Sequence, residues 1–146
     1  MKTLILFLLV ILLPAFGHAQ EYEYGKPSEL KGLTKIYVDT NGNVKDRDRI
    51  IEDLHKASIG IAIVDEIGEA EIFLQFGGTR VDRLAGGTTI SKPAGTGVVA
   101  IRGKTPEKLR IIMNFESTQD KFFEKKPTAK FTKGFIEIYK QANELK

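Results

Sequence analysis

Apolar residues along this chain fall into blocks whose spacing changes several times, and each change marks an element. The first block, Leu4 to Leu13, is an unbroken apolar run. It follows Met1-Lys2-Thr3 and ends at Pro14, after which Gly17-His18-Ala19 puts small residues at the −3 and −1 positions of a signal-peptidase site. A positive start, an apolar middle and a small-residue exit are the three parts of a secretory signal peptide. The run is about half the length that a permanent membrane helix needs. Residues 1–19 therefore read as a cleaved leader, with the mature chain beginning near Gln20.

Beyond the leader the spacing becomes that of a small folded domain. Residues 20–33 are polar, carry Gly25, Pro27 and Gly32, and read as an extended mature N-terminus. Lys35 to Asp39 alternates as a strand, with Ile36 and Val38 on one face. A turn over Asp39–Asn43 leads to a helix capped by Asn43 and ending near Ala57. Its apolar stripe is Ile50, Ile51, Leu54 and Ala57. Ile59 to Val64 is almost wholly apolar, which predicts a second strand buried on both faces. A polar connection, Asp65 to Ala70, precedes a third strand from Glu71 to Phe76.

Gly77 to Gly97 is rich in Gly, Thr and Pro and has little periodicity, so it reads as a hairpin with mobile loops. Gly97–Arg102 and Leu109–Phe115 are two further strands around a turn. Ser117 to Pro127 is charged and irregular. A closing helix from about Thr128 to Asn143 places Phe131, Phe135, Ile138, Tyr139 and Ala142 on one face. The pattern predicts a single α/β (α+β) domain over residues 34–146. It has a mixed sheet of about five strands, two main helices on one face and a projecting Gly-rich hairpin.

Composition narrows the chemistry. The chain has no cysteine, which removes disulfides, thiolate metal sites, a cysteine nucleophile and a lipidated cysteine. An exported chain held by packing alone fits a bacterial periplasm or exterior better than a disulfide-dense eukaryotic module. No second long apolar segment follows the leader, so no transmembrane anchor is expected in the mature chain. The formal net charge is +3 but unevenly spread. Residues 20–76 carry 7 basic and 12 acidic side chains, whereas residues 77–146 carry 14 and 7. A basic second half can meet an anionic envelope component. Nucleic acid is not expected, because the basic residues lack interleaved aromatics.

Motifs with catalytic meaning fail on inspection. Asp39-x-Asn41-x-Asn43 imitates the start of a calcium loop, but Val44 and Ile50 stand where Gly and Glu are required. No phosphate-binding glycine motif occurs. Ser28-Glu-Leu-Lys31 matches the Ser-x-x-Lys of penicillin-binding enzymes, yet no Ser-Asp-Asn accompanies it and Pro106 replaces the Gly of the third motif. His55 is the only histidine after the leader, and it lies on a helix with no serine motif near it. Acids near strand ends, such as Asp39, Asp65, Glu66 and Glu69, leave a carboxylate-dependent hydrolase open, although the chain has no tryptophan to serve as a sugar platform. The most plausible ligand-contacting cluster is Arg80, Asp82 and Arg83 beside Gly86 and Gly87, because arginine forks suit carboxylate or phosphate. No cofactor is implied.

Two resemblances extend this reading. The segment from Pro27 to Thr40 and the ending Phe123-Glu-Lys-Lys-Pro127, with Phe131 and Tyr139 to Asn143, resemble a group of small exported bacterial proteins of unknown function. Over residues 34–143 the layout is also similar to the N-terminal domain of TolB and to curli-type secretion lipoproteins. The shared features are a second strand ending in Val64-Asp65, a Glu-Ala-Glu step at Glu69–Glu71, then a hairpin and a closing helix. The missing lipid-bearing cysteine, propeller domain and membrane-inserting strands depart from those families. The resemblance to small exported proteins brings no mechanism with it. The residues as a whole point to an exported, non-catalytic domain that binds a protein or cell-envelope partner through a sheet edge or the basic second half. A small carboxylate-dependent hydrolase and a periplasmic small-anion binder are the alternatives. The leader carries its own test. Mass spectrometry of the exported protein is expected to find an N-terminus near Gln20, and an intact Met1 on soluble cytoplasmic material would overturn the assignment.

Overall fold

The computed structural model describes residues 22–146 except 86, 104, 106–107 and 120–123, and gives only the backbone of 81–85 and 88–90. The leader and Gln20 therefore lie outside the described residues. In chain order the elements are β1 (Tyr22–Tyr24), β2 (Lys35–Asp39), α1 (Val44–Ala57), β3 (Ala62–Ile63), β4 (Ile72–Ala85), β5 (Thr88–Arg102), β6 (Leu109–Thr118) and α2 (Pro127–Ala142). Short 3-10 turns occupy Pro27–Leu30 and Ile67–Glu69. One mixed sheet runs in the order β1-β6-β5-β4-β2-β3. β1 is parallel to β6, and β2 is parallel to both β3 and β4, while β4, β5 and β6 form an antiparallel meander.

The expected α+β class holds, with six strands rather than five. The additional strand is β1, from the segment read as an extended terminus. Ion pairing holds it in the sheet: Arg110 on β6 reaches Glu23 on β1 through Nη1 at 2.8 Å and Glu29 in the first turn through Nη2 at 3.2 Å. Its Nε sits 2.9 Å from Glu29 Oε1 but off line for a hydrogen bond. Leu30, at the end of that turn, is fully buried. Neither contact is visible in the polar composition of residues 20–33.

Local chemistry explains α1. The Asn43 side chain accepts the Asp46 amide at 3.1 Å, an N-cap that satisfies one orphan donor of the first turn. Ser58 ends the helix in a left-handed conformation at φ +50°. Ile50 and Leu54 are buried, and Ile51 and Ala57 pack at the edge of the same cluster. The stretch after it departs from expectation. Only Ala62 and Ile63 pair, with β2 alone, so β3 is a two-residue edge rather than a strand buried on both faces. Ser58 and Gly60 both take positive φ, which spends the preceding residues on a turn.

The largest difference lies in the glycine-rich middle. The expected hairpin is present, but the expected mobile loops are a continuous ladder from the Ile72–Ile101 pair to the Ala85–Thr88 pair. Glycine here makes room for rings. A Cβ on Gly97 would stand 2.5 Å from the ring of Phe131, and one on Gly95 would collide with the ring of Phe76. Phe131 of α2 lies over this bare backbone, with centroids 5.4 Å from Phe76 and 5.5 Å from Phe115. Both helices cover this face, burying Ile36, Val38, Ile72, Leu74 and Val99. On β6 the register skips Ile112, a bulge that turns both Ile112 and Met113 toward the helices. The core leaves little room for added volume. Gly97→Ala is expected to cost about 2 kcal/mol through overpacking, read as a lower denaturant midpoint. Phe131→Leu in the same chain should recover part of the loss, and a neutral Gly97→Ala would contradict the ring-on-backbone fit.

Candidate functional site

Three places on this fold can meet another molecule. The first is the outer part of the β4–β5 hairpin. β2 pairs β4 only from Ile72 to Gln75, yet β4 continues to Ala85. Gly77 and Gly78 pass under Asn41 and Asp46, so the β4 edge is uncovered from Thr79 onward. On the other side β6 pairs β5 no further out than Ala94, and the Gln119 amide bonds the Pro93 carbonyl at 2.8 Å. Beyond these contacts a two-stranded arm of about 20 Å projects from the sheet. Its ladder brackets Gly86-Gly87, a two-residue connection in which Gly87 takes φ +79°.

The sequence-predicted site residues all belong to this arm. Arg80 donates Nε to Ser91 Oγ at 2.8 Å and Nη2 to the Ser91 carbonyl at 3.2 Å, so its guanidinium braces the two strands. Asp82 and Arg83 pair through their backbones with Ser91 and Ile90. Gly86 lies outside the described residues. The arm thus places Arg80, Asp82 and Arg83 along one ribbon, with Arg80 also on the wall of a cavity at its root.

The second place is the sheet face turned away from the helices. Tyr37, Phe73, Val98 and Leu109 form a smaller apolar cluster there with Ala70 and Ala100. A shallow cavity of about 150 Å³ opens among them, with Tyr22 and Ile111 on its wall and Asp39 and Gln75 at its margin. Arg102 packs on this cluster: it stacks 5.2 Å from the Phe73 ring centroid and holds the carbonyls of Ala70 at 2.9 Å and Ile67 at 2.6 Å. The alternation Ile36-Tyr37-Val38 already carries an apolar residue on both faces, and that was the readable signal for this second cluster.

The third is a cleft between α1 and α2, open to solvent with a volume of about 650 Å³, where Arg49 and Lys56 face Lys125, Lys126 and Lys133. Sequence reasoning located the basic second half but not Arg49, which comes from the acidic half.

The carboxylates do not assemble into an acid–base pair. Asp65 binds Arg47 at 3.1 Å, and Asp39 accepts the Asn41 amide at 2.9 Å. Glu66 and Glu69 are exposed on either side of a 3-10 turn. The displaced carboxyl pKa values among the described residues are all lowered: Glu29 by the Lys26 amide and Arg110, Glu52 by Lys56, and Glu71 by the amides of Thr34 and Lys35. A general acid needs the opposite displacement. Tyr139 is raised, first by burial and then by the Glu71 charge, and its hydroxyl donates to the Leu33 carbonyl at 2.7 Å. Of the described residues, no group of three or more His, Cys, Asp or Glu could hold a metal ion, and no helix is long and apolar enough to cross a membrane.

No protein-family model and no curated protein matches the chain. Of solved structures, a minor lipoprotein from Acinetobacter baumannii aligns with 14% identity and a TM-score of 0.39, over 75% of this chain and 91% of that one. A likeness of that size carries no argument about this chain.

Glu71 lends itself to a direct test. Its carboxylate accepts the Thr34 amide at 2.7 Å and the Lys35 amide at 3.0 Å, joining the starts of β4 and β2. Because its folded pKa lies below the ordinary 4.5, its stabilisation is complete above the unfolded pKa and is lost as pH falls through the folded one. Glu71→Gln should cost about 1–2 kcal/mol at pH 7 and lose less stability than wild type on acidification. Denaturant titrations at neutral and acidic pH check this, and an equal loss in both proteins would count against it.

Proposed function

We propose that this chain is an exported bacterial domain that binds a protein or cell-envelope partner, and that the partner adds a strand to the open edge of the β4–β5 arm. The leader and the resemblance to small exported bacterial proteins support export. The arm carries the binding reading. A two-stranded ribbon without a third strand is marginal in water, and a free edge is a template for pairing that folded proteins usually shorten or cover. The outermost strands follow that rule, with three residues in β1 and two in β3, although β6 also runs past β1 from Ile112 to Thr118. The arm is longer: β4 runs from Thr79 to Ala85 with no described strand paired to its outer side. Arg80, Asp82 and Arg83 place charge along it, which discourages indiscriminate pairing and leaves the backbone available to a matched segment. Among the described residues no carboxyl group is displaced upward, and a binding role suits the fold better than acid–base hydrolysis.

The register supplies a clean variant. Pro93 has no amide hydrogen, so the Arg80–Pro93 pair is a non-hydrogen-bonded one, and Val81–Lys92 is the hydrogen-bonded pair that a two-residue turn requires. Replacing Asp82–Ser91 by Asn-Gly therefore trims the arm in register, keeping the Arg80–Pro93 pair and giving up the Arg80–Ser91 hydrogen bonds. The trimmed protein is expected to keep the wild-type urea midpoint and to lose a partner that the wild type recovers from an envelope extract. Equal recovery by both proteins would overturn the arm as the contact.

A further inference from the structure

The helix side of the domain carries a second surface of different chemistry, independent of the arm's backbone edge. Two cavities lie end to end along it. The larger, about 650 Å³, has Arg49, Lys56, Lys125, Lys126 and Lys133 on its walls. The smaller, about 290 Å³, lies at the root of the arm and is lined by Arg49, Lys126 and Arg80. Sharing Arg49 and Lys126 makes them one track.

The charge balance along this track is positive. Its acids are Asp46, Glu52 and Asp53, against six cations. Part of the basic charge is already committed. Lys56 binds Glu52 at 2.6 Å, Lys133 lies 3.5 Å from Glu137, and Arg80 holds Ser91. Asp46 accepts the Thr128 hydroxyl at 3.2 Å. Lys125 and Lys126 are exposed and make no ion pair among the described residues. They stand next to Arg49, so uncompensated charge concentrates where the two cavities meet.

The shape of the track selects the ligand. Arg49 and Lys56 are two turns apart on α1, about 10 Å, and Arg80 extends the row beyond the helix. A single small anion would satisfy one end only, whereas a chain of regularly spaced negative charges matches the whole row. Four of the six cations are lysines, mobile point charges that suit the tetrahedral oxygens of phosphate better than the planar fork a carboxylate prefers. Among the described residues the only aromatic one on the walls, Phe76, is 1% exposed, so no described ring offers a platform on which a nucleobase could stack.

We infer that the track from Lys56 through Arg49 and Lys125-Lys126 to Arg80 binds a linear, base-free phosphate polymer. Binding is electrostatic and therefore salt-sensitive. With about four phosphates neutralised, affinity should fall roughly fifty-fold between 50 and 200 mM salt.

The test is titration of the folded protein with short inorganic polyphosphate, with orthophosphate, a poly-glutamate peptide and an anionic phospholipid vesicle as comparison ligands. Polyphosphate is expected to bind, and orthophosphate at equal phosphate concentration should fail to displace it. Lys125→Glu with Lys126→Glu should weaken binding by about ten-fold or more. Lys31→Glu with Lys146→Glu imposes the same change in net charge away from the track and should leave affinity within about two-fold. Urea titrations of both double variants verify that they fold. An equal loss in the two variants, no loss in the first, or tighter binding of poly-glutamate or vesicles would overturn the inference. The arm-trimmed protein retains Arg80, freed from Ser91, and should bind polyphosphate at least as tightly as wild type does, so failure of strand addition and failure of the track give distinguishable results.

Discussion

The fold depends on one ring lying against bare backbone. Phe131 projects from α2 onto Gly97 of β5, between Phe76 of β4 and Phe115 of β6, and is fully buried. That contact couples a helix to three strands at once. Full burial of a phenyl ring is worth about 2–3 kcal/mol, and here the geometry matters as much as the area. Any side chain at position 97 would lift the helix off the sheet. Because α2 is seated this way, its preceding residues Lys125 and Lys126 come to lie beside Arg49 of α1. Phe76 over Gly95 repeats the device one step toward the arm and anchors the hairpin where it leaves the sheet.

Around that anchor the sheet is finished differently at its two ends. The β1 side is closed by charge: Arg110 gathers Glu23 and Glu29, which brings an otherwise polar segment into the ladder. Partly exposed pairs of this kind contribute modestly to stability, but they select the register of a three-residue strand that has little else to specify it. The β3 side is closed by brevity. Between the two, the hairpin grows outward past its neighbours and leaves an edge open. The helix face is basic and wet, the opposite face is apolar and shallow, and the arm offers backbone. Different ligand chemistries therefore have separate addresses on one small domain.

The class of fold was legible because periodicity is local. Ile36 and Val38, the Ile50–Leu54 stripe and the Phe131–Phe135–Tyr139 face each declare their element within a few residues, and Asn43 declares the start of a helix by its own hydrogen bond. The middle was misread because glycine has two meanings. Locally, Gly95 and Gly97 look like punctuation, as loop glycines do; in the folded protein they are the floor under two phenyl rings. Ile59 to Val64 was misread for a related reason. An apolar run predicts burial, but how many of its residues pair depends on where the chain must turn to meet β2.

The amino-acid sequence by itself determined the elements, the cysteine-free chemistry, the leader pattern and the uneven division of charge, since each of these is written in neighbouring residues. Tertiary structure alone decided that residues 22–24 join the sheet, that Arg80, Asp82 and Arg83 stand on one two-stranded ribbon, and that Arg49 shares a cleft with Lys125 and Lys126. These facts depend on contacts between distant segments. Such contacts are made only in the assembled domain, where Phe131 of α2 lies over the bare backbone of Gly97.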